Sequence, residues 1–89
     1  MSPEEQTLTA RQEALDLAVQ HHKAGRLSQA ESICQQILQD DPNQTVALHL
    51  LGVIAHQTGN SDKAVDLITK TLALNPELAE AHNNLGNAL

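Results

Sequence analysis

The sequence predicts an all-α solenoid built from two full helix-turn-helix repeats and the first helix of a third. Three observations carry this. The chain repeats itself at an offset of 34 residues; 40% of its residues are apolar, mainly Leu and Ala; and Phe, Trp and Tyr are all absent. A Leu- and Ala-rich composition with three Pro and four Gly favours helices over strands or disorder. A fixed period of this length decides the architecture before any local assignment.

At the offset of 34, ten of the 45 pairs from Arg11 to Ala55 are identical, against about 3 expected by chance. They include Leu17/Leu51, Val19/Val53, His22/His56, Gly25/Gly59, Ala30/Ala64, Leu38/Leu72, Pro42/Pro76 and Ala47/Ala81. Gly, Ala and Pro recur where backbone geometry or close packing restricts the choice. The division is then 1–10 as a lead-in or helix extension, 11–44 and 45–78 as repeats, and 79–89 as the first helix of a third.

Helices are expected near 9–24, 28–40, 43–58, 61–74 and 77–89. Ser2-Pro3-Glu4-Glu5 is a cap signal that would start the first of them at Pro3. Gly25 and Gly59 suit the left-handed conformation that ends a helix. Ser28-Gln29-Ala30-Glu31 reads as a capping box, and Asn60 or Ser61 as the corresponding cap one period on. Asp41-Pro42 and Asn75-Pro76 each offer a capping side chain followed by a Pro at the first helical position. Ala18, Gly52 and Gly86 are small where the two helices of a repeat should approach closely, as are Ala30 and Ala64 from the second helix. Leu17, Leu51, Leu38 and Leu72 are expected to fill the core.

Several function classes are excluded. The net charge of -6 repels phosphates and anionic membrane surfaces, and without aromatic residues there is no stacking platform for single-stranded nucleic acid. No apolar run approaches the roughly 20 residues that span a bilayer, and the acidic start is unlike a signal peptide. The single Cys34 cannot form an internal disulfide, which fits a cytoplasmic location. Its place in the second helix is a core position. No phosphate loop, nucleophile elbow or His-Glu-x-x-His motif occurs, so the segment is read as non-enzymatic, without cofactor or metal. Five histidines are many for this length, but His49 and His56 lie seven apart, and ligands on one helix want a spacing of three or four.

The repeat positions resemble the tetratricopeptide repeat family, whose pattern is a large residue, x2-Leu-Gly-x2-large, Ala-x3-large and Pro. Leu48, Leu51, Gly52, Ala55, Ala64, Ile68 and Pro76 match it in spacing, as do Ala14, Leu17, Ala18, His21, Ala30, Cys34 and Pro42. A third set, His82, Leu85, Gly86 and Leu89, is cut short. Every usual aromatic is replaced by an aliphatic residue, Ala, Cys or His.

The resemblance implies a concave groove lined by the first helix of each repeat, taking a peptide or partner protein. It would present Leu15, Val19, His22 and Lys23 from the first repeat, with Gln12 and Asp16 beside them. His49, Leu50, Val53, His56 and Gln57 would follow from the second, with Val46 at its start. Asn83, Asn84 and Asn87 would come from the third, beside Glu80. The carboxylate clamp of the chaperone-binding members is missing: its positions carry Leu15, Val19, Leu50, Glu80 and Asn84, and Glu80 would repel a carboxylate. The run Ala79 to Leu89 is similar to the repeats that precede the catalytic domain of protein O-GlcNAc transferases and their bacterial relatives, where an asparagine ladder grips peptide backbone. Asn84 sits at the ladder position, with Asp16 and Leu50 at the earlier two. Two alternatives to groove binding follow. One is a homo-oligomer paired through the third-repeat helix, whose Leu85, Ala88 and Leu89 have no following helix to cover them; the other is a targeting arm for a downstream glycosyltransferase.

Overall fold

The computed structural model describes the backbone of residues 3–77 and the side chains of residues 10–77. Four helices follow in order: α1 (Pro3–Lys23), α2 (Leu27–Asp40), α3 (Thr45–Gln57) and α4 (Ser61–Leu74). Among the described residues there is no strand. Each repeat is a hairpin, α1 on α2 and α3 on α4, and α2 packs on α3 to join the two. The expected fifth helix, with Gly86, Leu85, Ala88 and Leu89, lies outside the described residues.

The period of 34 is visible in the backbone itself. Gly25 and Gly59 both take positive φ, 80° and 83°. Around each, the same pair of bonds closes the helix: Gly25 N–H to His22 O and Arg26 N–H to His21 O, then Gly59 N–H to His56 O and Asn60 N–H to Ala55 O. This is the Schellman arrangement, and a side chain at the glycine would be strained whatever space surrounds it. The second helices also end alike, Asp41 N–H bonding Ile37 O and Asn75 N–H bonding Thr71 O.

Three sequence expectations are corrected. The Asp41-Pro42 and Asn75-Pro76 caps both fail: Asp41 does not cap α3 but ends α2, with Pro42-Asn43 in a turn closed by Gln44 N–H to Asp41 O, and Asn75 ends α4 with Pro76 in a turn. A residue before Pro is steered away from helical geometry. The cap of α3 is Gln44, whose side-chain oxygen accepts from Val46 N–H at 2.7 Å. Ser28 is likewise no cap, because the Gly25 turn delivers the chain directly into α2 with Arg26 as an N-cap that makes no side-chain bond. Glu31 accepts instead from Gln35 one turn on. In the second repeat Asn60 caps α4 through Lys63 N–H, as one of the two expected residues. The third correction is Leu17, which is 46% exposed where Leu51 is 5%.

The core runs through both hairpins. Leu15, Ala18, Ala30, Cys34, Ile37, Ala47, Leu50, Leu51 and Ile54 form one cluster, and Ala55, Ala64 and Ile68 form another. The small residues stand where helices meet: a Cβ added at Gly52 would lie 2.6 Å from Ile68 Cγ1, a clash. One period earlier the same two positions hold Ala18 and Cys34, both fully buried. The first repeat thus has the larger residue on its first helix and the smaller on its second, and the other repeat reverses the pair. Total volume across the contact is roughly kept, as close packing requires.

Candidate partner-binding groove

The residues expected to line a groove sit on α1 and α3, the first helices of the two repeats. Leu15 and Leu50, expected to present to a ligand, are instead 7% and 8% exposed and belong to the main core cluster, because both pack inward among the helices. Val19 is half-buried and packs against that cluster; Val53, its counterpart, is also half-buried. His22, His49 and His56 are half-buried, while Lys23 and Gln57 are exposed. Gln12 donates to Asp16 at 3.1 Å along the exposed side of α1. Val46, at the start of α3, is 46% exposed. Glu80, Asn83, Asn84 and Asn87 lie outside the described residues.

The structure joins two of these residues across the repeats. His22 Nε2 lies 2.8 Å from Gln57 Oε1. An amide oxygen only accepts, so the ring donates from Nε2. This bond ties the C-terminal ends of α1 and α3 side by side, where the helices otherwise touch little. Nearby, His56 Nδ1 is buried without a hydrogen-bond partner. His21, the preceding residue of α1, accepts from Arg26 Nε at 2.8 Å and braces the α1–α2 turn.

The sequence marks His22 and Gln57 separately but not their pairing, since the period of 34 relates His22 to His56 instead. The His21–Arg26 bond and the exposed ion pair of Arg11 with Asp41, at 3.9 Å, carry no periodic signal at all. A cleft between α1 and α2 is also missed; the readable hint is the pair Ala14/Leu48, where one period replaces a large residue by a small one.

Cys34 is enclosed, and burial, with a smaller contribution from the Glu31 charge, pushes its thiol up to about 11. A thiol held neutral in this way is inert as a nucleophile. Among the described residues no cluster of three or more His, Cys, Asp or Glu is placed to hold a metal ion, and no helix is long and apolar enough to cross a membrane. What the α1–α3 surface offers is apolar contact from Val19 and Val53, imidazole and amide hydrogen bonding, and the flanking charges of Asp16 and Lys23.

Comparison with known proteins agrees with this geometry. The sequence profile of the tetratricopeptide repeat matches residues 21–89. The chain belongs to the tetratricopeptide repeat family. Repeats of this family generally mediate protein–protein interaction and are themselves non-catalytic. A UDP-N-acetylglucosamine–peptide N-acetylglucosaminyltransferase of Caenorhabditis elegans is 36% identical over 72 residues, 81% of this chain but 6% of that protein. A mutant O-GlcNAc transferase of Thermobaculum terrenum superposes over 100% of this chain and 16% of its own, with a TM-score of 0.88 and 34% identity. In both, the match is to a small part of a much longer enzyme.

Proposed function

We propose that the α1–α3 surface takes an extended peptide or a segment of a partner protein, through Val19, His22, Lys23, His49, Val53, His56 and Gln57. The observation that carries this reading is the His22–Gln57 bond, which joins the C-terminal ends of α1 and α3, the equivalent helices of adjacent repeats. Ring and amide groups there suit backbone amides and neutral side chains. The surface has few fixed charges, so it is a poor receptor for a terminal carboxylate or a phosphate.

The test is selection of ligands from a random peptide library, followed by the variants Val53→Glu and Val19→Glu. Both residues are half-buried, so the fold should persist while peptide capture falls at least about tenfold. Selected peptides that bind both variants as they bind the parent would refute the groove. Leu50 does not serve for this purpose, because a charge at so buried a position would unfold the protein.

A second reading rests on the relatives, a UDP-N-acetylglucosamine–peptide N-acetylglucosaminyltransferase and an O-GlcNAc transferase. In it the repeats are the arm that brings a protein substrate to a catalytic domain elsewhere in the polypeptide. Joining the repeats to such a domain and comparing protein with short-peptide substrates tests it: loss of rate on protein substrates alone, in Val53→Glu, is the expected result. Pairing through the third-repeat helix is a further alternative. It predicts self-association that Leu85→Glu abolishes.

A further inference from the structure

The bond between His22 and Gln57 fixes which end of the glutamine amide faces outward. A primary amide has an oxygen that accepts and an amino group that donates. With Oε1 held 2.8 Å from His22 Nε2, the amino group is the end left over. Gln57 is exposed, and among the described residues nothing else bonds its side chain, so those N–H groups are open to a ligand. A free glutamine would offer oxygen and nitrogen alike. Held by His22, this one offers nitrogen.

The position one period earlier has the same polarity by other means. It holds Lys23, also exposed, whose ammonium donates and cannot accept. The ends of α1 and α3 therefore present N–H donors at equivalent positions of the two repeats, although the residues differ. Lysine is a donor by its chemistry alone. Gln57 becomes one through a ring on the neighbouring helix. That ring serves in its neutral Nε2–H form and in its charged form, because both carry the proton on Nε2.

We infer that Gln57 donates from Nε2 to a backbone carbonyl of the bound peptide, and that His22 is a positioning residue that holds the amide in this orientation. An extended segment carries carbonyls with no partner of their own, and each needs a donor once water is displaced. The inference rests on the reading of the α1–α3 surface as a peptide groove and adds one named contact with a direction.

The first test needs no peptide. Nitrogen NMR of the imidazoles above neutral pH should find His22 protonated on Nε2, with the lone pair on Nδ1. A ring protonated on Nδ1 alone would accept from the amide and turn its oxygen outward, which overturns the inference. The second test uses an uncharged peptide selected on the 89-residue chain, and copies of it with single backbone amides replaced by esters, whose carbonyls accept more weakly. At one position the ester should weaken capture by the parent at least about threefold. Gln57→Met removes the donor at similar length; it should bind the all-amide peptide at least about threefold more weakly and be indifferent to that ester. Gln57→Glu keeps an oxygen for His22 but has no N–H. It should lose the peptide as Gln57→Met does while His22 stays protonated on Nε2. His22→Phe, which keeps a ring without the donor, should shrink the ester's effect with helix content unchanged.

Capture by Gln57→Glu equal to the parent would mean that the bond is only a strut, and the inference fails. It fails as well if the ester's effect is the same in His22→Phe. If no ester depends on Gln57 while Val53→Glu and Val19→Glu still lose the peptide, the groove stands without this contact. If those two variants bind as the parent does, or no peptide can be selected, the groove itself is refuted and this contact with it.

Discussion

The two repeats share their turn geometry and helix-end hydrogen bonds and are unlike in what their side chains do. Leu17 and Leu51 occupy the same position, yet one is 46% exposed and the other 5%. Both helices end in the same glycine turn, yet α4 has a side-chain cap in Asn60 and α2 has none in Arg26. Turn geometry is set within a repeat, by residues that need a particular φ. Burial is set between repeats, by whichever helix stands next door. A stacked array therefore has local conformations that recur with its period and stabilities that do not.

The largest test of that contrast is a pair of truncations. Leu51→Ala should cost about 2–4 kcal/mol and Leu17→Ala less than about 0.5 kcal/mol, read from urea unfolding followed by far-ultraviolet circular dichroism. Losses within about 1 kcal/mol of each other would show that position in the repeat, not neighbourhood, decides the energy.

Next comes the reversed pair at the helix crossing. Gly52→Ala should gain helix propensity but lose about 1–2 kcal/mol overall, because the new methyl meets Ile68. Adding Ile68→Cys, which recreates the Ala18–Cys34 pair of the first repeat, should recover at least half of that loss. If the two substitutions simply add, the crossing is not the tight contact the geometry describes.

Smaller effects are expected at the caps. Asn60→Ala should cost about 1 kcal/mol and Arg26→Ala within about 0.5 kcal/mol, checked by the same unfolding curves.

The gentlest test uses alkaline pH. The folded protein holds the Cys34 thiol protonated up to about 11, whereas an unfolded thiol ionises near 8.5. The folded state therefore binds the proton more tightly. Its contribution to stability is whole below the unfolded value and is lost as pH rises from there through about 11. Midpoints of unfolding at pH 8 and pH 10 should differ in that direction in the parent and less so in Cys34→Ala. Below pH 8.5, alkylation of Cys34 should proceed no faster than unfolding exposes it.

Much of the fold was legible because backbone chemistry leaves few choices. Gly25 and Gly59 had to be turns, Asn60 was one of two obvious caps, and Ala30 and Ala64 marked a close approach. The errors share a different character. Asp41-Pro42 and Ser28-Glu31 are genuine cap motifs in isolation, but the preceding helix ends first and dictates where the next begins. Leu17 looked like core because its pattern is that of Leu51, and a pattern cannot report which residues pack on a side chain. The candidate groove was readable as a set of positions through the family resemblance. The bond joining His22 to Gln57 was not, since it depends on how the ends of two helices sit beside each other.

The exchange between Ala18–Cys34 and Gly52–Ile68 also bears on how one repeat could be turned into the other by single substitutions. Two orders are open at each crossing. Enlarging the first helix before trimming the second passes through alanine against isoleucine, a collision of atoms at a contact with no slack. Trimming first passes through glycine against cysteine, which leaves only a small hollow. The hollow is the gentler intermediate, so the route between these sister repeats is directional: from Gly–Ile the second helix changes first, and from Ala–Cys the first helix does.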